Sequence, residues 1–395
     1  MHPGTRGPAT VTVGVPTETW PGERRVALVP SGVARLSNAG FDVAVERGAG
    51  ERAGFPDGVY VSHGAKVVTR RDALQADIVL RVRGWGVSTD DVDADVAVAD
   101  QVVIGLANPL FDPLVAVRAA ERNLIAFALE LVPRTMRAQA VDALSSQATI
   151  TGYKAVLLAA SELPKMLPLL TTAAGTVPPA QVFVVGAGVA GLQAIATARR
   201  LGAVVQAYDV RAAAQEDIES LGARAVLLPM APGDAQDSSG YAKELGEAFH
   251  RRQQELLSDV VGPADIVICT ALIPGKAAPV LVTAAAVGRM EPGSVIVDCA
   301  AERGGNCELT RPDETTVTDN GVTIVGPTNL PSTVPNDASV MYSKNMTSFL
   351  LLLVEHGRLA IDEGDDIVRS TLVTRDGEIV NGRVLESLRL EAQHV

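Results

Sequence analysis

Residues 182–203 read VFVVGAGVAGLQAIATARRLGA. A run of apolar β-formers is followed at once by Gly186, Gly188 and Gly191 in Gly-x-Gly-x-x-Gly spacing, and these lead into a helical pattern. The first glycine permits a tight turn and the second lets backbone approach a pyrophosphate. The third lets helix and strand pack closely, while the helix N-terminus, beginning near Val189, attracts phosphate charge. Chance glycines in an ordinary strand-to-helix turn would not meet all three needs. The next apolar run, AVVQAYD (residues 203–209), ends on Asp209, where an acidic side chain accepts adenosine ribose hydroxyls and repels a 2′-phosphate. This favours NAD(H) over NADP(H). Arg211 is of the type that accommodates a 2′-phosphate; otherwise it is a solvated residue at a helix start.

Outward from this motif, short β-branched runs alternate with helical patterns. Before it come residues 11–15, 42–46, 66–69, 78–82, 102–106 and 124–128; within and after it come 181–185, 204–208, 225–228, 265–269, 294–297 and 323–325. That rhythm predicts parallel sheets with crossover helices. Ser31 is placed to cap a helix reaching Asn38, and Pro113 to open one reaching Glu121. A long helical pattern over residues 137–163 stops before Pro164, and the Pro/Gly-rich stretch 175–179 leads into the second set of strands. A further long helix over 337–355 returns the chain, leaving the segment with VTRDGEIVNG (373–382) as a small appendage. The expected fold class is α/β, with two Rossmann-like doubly wound parallel-sheet domains. The first domain is discontinuous, residues 1–141 and 329–395, and the second, residues 142–328, holds NAD(H).

Composition bounds the function. A formal net charge of −12 and a pI near 5.0 oppose a nucleic-acid groove or an anionic membrane surface, both of which require a basic face. Cys269, Cys299 and Cys307 are odd in number and lack CxxC spacing or a histidine partner nearby, so neither a disulfide framework nor a metal site is expected. A reducing cytoplasm is the simplest setting. No apolar stretch approaches the roughly 20 residues needed to cross a bilayer. Residues 1–10 have no apolar segment of the secretion-signal kind.

Nucleotide binding alone does not choose a reaction. The flanking segments GERRVALVP (22–30), TALIPGKAAPVLVT (270–283), GSVIVDCAAERGGNCE (293–308) and PSTVPNDAS (331–339), together with the glycine motif, resemble two related families. These are alanine dehydrogenase and the NAD(H)-binding domain I of proton-translocating transhydrogenase. The stretch RTMRAQAVDALSSQATITGY (134–153) resembles the Arg-Gln-Asp loop of transhydrogenase, which alanine dehydrogenases lack. By this resemblance Arg134, Gln139 and Asp142 match the loop's named residues and are implied to serve hydride transfer, with Ser145 one turn beyond. They would lean over the nicotinamide end of the nucleotide; a polar helix start is the plainer reading of the same residues. The long polar segment PMAPGDAQDSSGY (229–241) is similar to the transhydrogenase loop that closes on bound nucleotide, with Gly240 and Tyr241 matching its Gly-Tyr pair. The resemblance also implies cofactor contacts for Val189, Gln253 and Leu272.

Chemistry separates the two families independently. Oxidising an amino acid requires an acid/base to move a proton, whereas hydride passing between two nicotinamides requires only positioning. None of the five histidines stands where a catalytic base is expected. Where alanine dehydrogenases carry a substrate-binding Lys and a catalytic His, this chain has Arg83 and Asn108, and their later Asp aligns with Glu302. Arg25 matches the Arg with which that family holds a substrate carboxylate; an ion pair with Glu23 or another acid is the favoured reading, a vestigial anion site the other. The transhydrogenase resemblance implies Re/Si-specific transfer from NADH to NADP+ bound on a partner subunit. It further implies membrane-spanning and NADP-binding partners, a homodimer, and a peripheral place on the cytoplasmic face. A stand-alone alanine or related amino-acid dehydrogenase is the alternative, and a nucleotide-binding regulatory subunit a third.

Overall fold

A computed structural model of the chain describes residues 11–85, 93, 96–227, 247–355 and 358–394. Two compact units divide it, Met1–Gln147 with Val334–Val395, and Ala148–Thr333. The first unit opens with β1 (Thr12–Val15), β2 (Asp42–Glu46), β3 (Lys66–Val68), β4 (Ile78–Arg83), β5 (Val102–Leu106) and β6 (Ile125–Ala128). The second holds β7 (Leu170–Thr172), β8 (Gly175–Val177), β9 (Gln181–Val185), β10 (Val204–Tyr208), β11 (Arg224–Ala225), β12 (Ile266–Cys269), β13 (Val295–Asp298), β14 (Thr315–Val317) and β15 (Thr323–Val325). Back in the first unit, β16 (Val354–Glu355) pairs with β17 (Arg358–Leu359), and β18 (Leu372–Arg375) with β19 (Glu378–Ile379).

Both principal sheets share one plan. The first runs β19-β18-β6-β5-β4-β1-β2-β3 and the second β11-β10-β9-β12-β13-β15-β14. β1 to β6 are parallel throughout, as are β9 to β13 and β15, while β14, β18 and β19 join antiparallel at the edges. In each sheet the strand order reverses beside the first strand, between β1 and β4 and between β9 and β12, and such switch points are where doubly wound sheets bind ligands. The central strands are β-branched because both faces are covered. In the second unit Val182, Val184, Ile266 and Ile268 pack with Ala155, Ala194 and Ile195 on one face, and Phe183, Val185 and Val267 with Leu257 and Val261 on the other. In the first, Val13, Ile78, Leu80 and Ile104 pack with Tyr342, Met346 and Phe349, and Val79 and Val103 with Leu74 and Leu124.

Several local readings of the sequence change. The pattern over 137–163 is two elements, a 3-10 turn Arg137–Val141 and the helix Ala143–Glu162, broken at Asp142 with ψ 83°. Helix-forming residues flank the break on both sides, so periodicity hid it. Ser31 is not a cap: Val29 takes that place without a side-chain bond, and Pro30, with its preset φ, starts the helix Pro30–Asn38. The stretch around 175–179 contributes an exposed hairpin, β7 and β8, turning at Gly175 with φ +126°. The expected appendage is part of the first sheet: β18 pairs with β6, and Thr374 Oγ1 donates to the Leu124 carbonyl at 2.8 Å.

Within the second unit the helix Ala143–Glu162 approaches the helix Val189–Arg200 closely at Gly152. A Cβ there would lie 2.0 Å from the Ala190 carbonyl oxygen. Gly152→Ala therefore forces backbone apart, and overpacking of this kind costs about 1–3 kcal/mol. Thermal melts of the variant are expected to fall accordingly; an unchanged Tm would show that the two helices yield freely.

Candidate functional site

At the second unit's switch point the three motif glycines occupy three different environments. Gly186 follows β9 with φ +91°, a region that disfavours side chains, and a Cβ on it would sit 3.0 Å from both the Ala271 nitrogen and Thr270 Oγ1. At Gly191 a Cβ would lie 1.8 Å from the Gly186 carbonyl oxygen, so helix and turn touch backbone to backbone. Gly188 is exposed and caps the helix Val189–Arg200 without a side chain, and a Cβ there would meet nothing within 4 Å. The turn thus has its clearance at Gly188, the glycine that the sequence reading sets against a pyrophosphate. Val189 is the first residue of that helix.

The opposite wall comes from β12, whose end carries polar residues that the glycine motif did not point to. Thr270 Oγ1 donates to the Gly186 carbonyl at 2.9 Å and to that of Val185 at 3.2 Å, binding the end of β12 to the glycine turn. Asn306, fully buried, accepts from the Ala271 nitrogen at 2.9 Å and donates to the carbonyls of Ala271 at 2.8 Å and Pro279 at 2.9 Å. It therefore pins the segment that presents Leu272, which is 44% exposed. The only sequence signal for Asn306 was its place in the motif at 293–308. The three cysteines are free thiols; burial pushes Cys269 and Cys299 well up and Cys307 up to about 11, so none is a ready nucleophile.

At the end of β10 a crevice is lined by Tyr208, Asp209, Arg211, Gln215, Leu227 and Phe249 among others. Asp209 Oδ2 accepts from the Ala187 nitrogen of the glycine turn at 2.8 Å, which fixes the carboxylate beside the cradle. Arg211 is paired with it, Nε to Oδ1 at 2.9 Å, and this bond raises the guanidinium's affinity for its proton. Arg211 is thus an ion-pair partner and not a solvated helix-start residue. Gln253 is buried, donating to the Tyr208 hydroxyl at 2.8 Å with its other amide atom 3.2 Å from His250 Nδ1. It stands behind the crevice wall. Burial raises the Tyr208 hydroxyl to about 12, so it stays protonated. Gly240 and Tyr241 lie outside the described residues.

In the first unit the segment from Arg134 to Ser145 is held from several sides. Ala138 and Val141 are in the core, the Ala140 carbonyl accepts from Asn345 Nδ2 at 3.0 Å, and Arg137 pairs with Asp365 and Asp366 at 2.8 and 2.5 Å. Arg137 holds the Asp365 carboxyl below the usual carboxylate range. Asp142 and Ser145 are brought together: the carboxylate accepts from the Ser145 nitrogen at 2.9 Å and from its hydroxyl at 2.5 Å, capping the helix Ala143–Glu162. Arg134 and Gln139 are exposed, as is Met136. A firmly anchored turn therefore displays long polar side chains.

Comparison with known proteins gives this geometry a lineage. Residues 14–151 match "Alanine dehydrogenase/PNT, N-terminal domain" and residues 155–382 match "Alanine dehydrogenase/PNT, C-terminal domain". The chain belongs to the alanine dehydrogenase/PNT family. Among its relatives is an NAD(P) transhydrogenase alpha-subunit polypeptide of Rhodospirillum rubrum, 45% identical over 380 residues, covering 93% of this chain and 97% of the relative. A solved transhydrogenase from Sinorhizobium meliloti superposes with TM-score 0.83 at 43% identity, covering 93% of this chain and 100% of the other. An L-alanine dehydrogenase structure gives TM-score 0.79 at 28% identity, covering 96% and 99%.

Arg25, Arg83 and Asn108, which the sequence resemblance sets against an alanine dehydrogenase substrate site, make contacts within the first unit. Arg25 binds Glu23 through Nε at 2.7 Å and Nη2 at 2.6 Å, and its Nη1 donates to Gln147 Oε1 at 2.9 Å, which is the ion pair favoured from sequence. Arg83 Nε lies 3.7 Å from the same Glu23, and its guanidinium stacks 5.3 Å from the Trp20 ring centroid. Asn108 sits at φ +53° and donates its backbone N–H to Glu130. Glu18 occupies the first unit's own switch point, accepting from the backbone nitrogens of Val82 at 2.6 Å and Arg83 at 3.3 Å. Glu302, in the second unit, is exposed on the turn Ala301–Arg303.

Asp209 stands beside the cradle where ribose hydroxyls would arrive. Asp209→Ala is expected to weaken NADH binding about tenfold or more, on the scale of about 1.4 kcal/mol per decade, and to narrow the preference over NADPH. Calorimetry with both nucleotides checks this, and equal NADH affinity in variant and wild type would remove Asp209 from the site.

Proposed function

We propose that this chain is the NAD(H)-binding subunit of a proton-translocating NAD(P) transhydrogenase, giving hydride to NADP+ held by a partner subunit. The observation that carries the choice is the anchored segment Arg134 to Ser145. It retains the transhydrogenase residue set and displays Gln139 from a turn held by Asn345, Asp365 and Asp366. The names of the relatives at 43–45% identity point the same way.

The residues of the second unit fit a dinucleotide. Gly188 leaves room for diphosphate at a helix start, Asp209 receives ribose, and the loop pinned by Asn306 sets Leu272 beside the cradle toward the nicotinamide end. Bound NADH supplies a hydride from its reduced ring. The chain's own contribution is to position that ring, since direct transfer between nicotinamides moves no proton at nitrogen or oxygen. Arg134 and Gln139 are assigned to align the acceptor ring, and Asp142 with Ser145 to hold the turn that carries them. Gly240 and Tyr241 are assigned to close over the nucleotide.

Among the described residues no helix is long and apolar enough to cross a membrane. Proton translocation is accordingly assigned to membrane-spanning partners. The subunit would work as a homodimer at the cytoplasmic face beside its NADP-binding partner. The amino-acid dehydrogenase reading is disfavoured by Arg25, which is bound to Glu23, and by Arg83, which is stacked on Trp20.

The test uses the full chain mixed with a transhydrogenase NADP-binding domain in single-turnover measurements. Gln139→Asn is expected to slow hydride transfer at least tenfold, about 1.4 kcal/mol, with NADH affinity kept within about threefold. Wild-type transfer rates in that variant would remove Gln139 from the mechanism. Robust oxidation of alanine by the isolated chain would overturn the transhydrogenase reading.

A further inference from the structure

Asp209 is not waiting with empty acceptor sites. An ionised carboxylate offers about four lone-pair positions, and four donors are directed at this one. Oδ2 accepts from the Ala187 nitrogen at 2.8 Å and from Arg211 Nη2 at 2.9 Å. Oδ1 accepts from the Arg211 backbone nitrogen at 2.9 Å and from Arg211 Nε at 2.9 Å. Each oxygen therefore holds one backbone N–H and one guanidinium N–H. Arg211 Nη2 also reaches the Ala187 carbonyl at 3.3 Å, so the guanidinium extends from the end of β10 to the glycine turn.

Subtracting the guanidinium leaves a carboxylate still oriented by two backbone N–H groups, with one acceptor position open on each oxygen. That pair of vacancies is the complement of a vicinal diol. The Arg211 side chain is 18% exposed against 8% for Asp209, so the guanidinium is the more water-accessible partner of the pair. We infer that Arg211 is a built-in, displaceable ligand of Asp209, that the ribose diol of an adenine nucleotide binds by exchanging with it, and that Arg211 thereby sets affinity and nucleotide preference. The inference rests on the second unit being the NAD(H) site.

Two consequences follow from the chemistry of the exchange. Charge-assisted bonds from a guanidinium are stronger than those from neutral hydroxyls, so the displacement weakens nucleotide binding relative to an open carboxylate. A displaced guanidinium also remains tethered two residues from Asp209, close to the 2′-oxygen, where it offsets the repulsion that a lone carboxylate exerts on a 2′-phosphate. Arg211 therefore softens the preference for NADH that Asp209 creates.

Arg211→Met keeps a long side chain and removes the competing donors. In calorimetry on the full chain this variant is expected to bind AMP and NADH about three- to tenfold more tightly than wild type and to widen the NADH-over-NADPH ratio by at least threefold. Nicotinamide mononucleotide, which does not reach Asp209, is expected to bind equally to both. In an Asp209→Ala background, Arg211→Met should give no gain, a result that a merely structural role would not produce. Should Arg211→Met fail to fold by its thermal melt, Arg211→Lys, which has no fork to engage both oxygens, is expected to tighten NADH without widening the ratio as far. NADH affinity unchanged or lowered in the folded variant overturns the inference while leaving the nucleotide site standing. A wild-type chain that binds neither AMP nor NADH overturns the site itself.

Discussion

Everything at the second unit's switch point depends on one steric constraint, the backbone contact between Gly191 and the Gly186 carbonyl. A Cβ at position 191 would stand 1.8 Å from that oxygen. With the contact made, the helix Val189–Arg200 starts directly against the end of β9, with no side-chain bond capping its first turn. The same helix is gripped from another direction at Gly152, whose missing side chain admits the Ala190 carbonyl. Thr270 then closes the third side through the Val185 and Gly186 carbonyls. Three glycine-permitted or hydroxyl-mediated contacts leave the turn no alternative position. Pre-organisation of that kind suits the proposed hydride transfer, whose catalysis is alignment.

The two units share a strand order, yet their switch points have opposite character. In the second unit the crevice is walled by backbone and left clear at Gly188. In the first, the corresponding place receives Glu18, whose carboxylate takes the Val82 and Arg83 nitrogens, while Glu23, Arg25 and Arg83 form a buried charged cluster close by. Burial raises the Glu18 carboxyl's proton affinity, against which Arg81 and the two backbone bonds act. Such a cluster is stable only while its members satisfy one another. One sheet plan therefore gives an open crevice in one unit and a buried, mutually paired charged cluster in the other.

The polar and apolar readings of the sequence fared differently. Strand positions are legible because Val182, Val184, Ile266 and Ile268 on one face and Phe183, Val185 and Val267 on the other are all buried, and continuous apolar, β-branched runs are a local signature of that burial. Helix ends were less visible. The break at Asp142 depends on a side chain turning back to the Ser145 nitrogen, and nothing in the residue types around it distinguishes a cap from an ordinary polar turn. The C-terminal strands were missed because β18 acquires its partner, β6, from a distant stretch of chain, with Thr374 reaching the Leu124 carbonyl across 250 positions.

By itself the sequence determined the parallel two-unit architecture, the glycine cradle and the acidic residue at the end of β10. Absent side chains, β-branched runs and fixed short spacings are stereochemical demands that act within a few residues of one another. Only the tertiary structure decided how the polar groups are occupied. Asp209 is saturated by Arg211 and the Ala187 nitrogen, Gln253 is turned inward to Tyr208, and Arg25 is held by Glu23 together with Gln147, 122 positions away. A carboxylate or guanidinium reads the same in sequence whether open or engaged. Its state is set by which distant donors and acceptors folding brings within bonding distance, and by how much water burial removes from them.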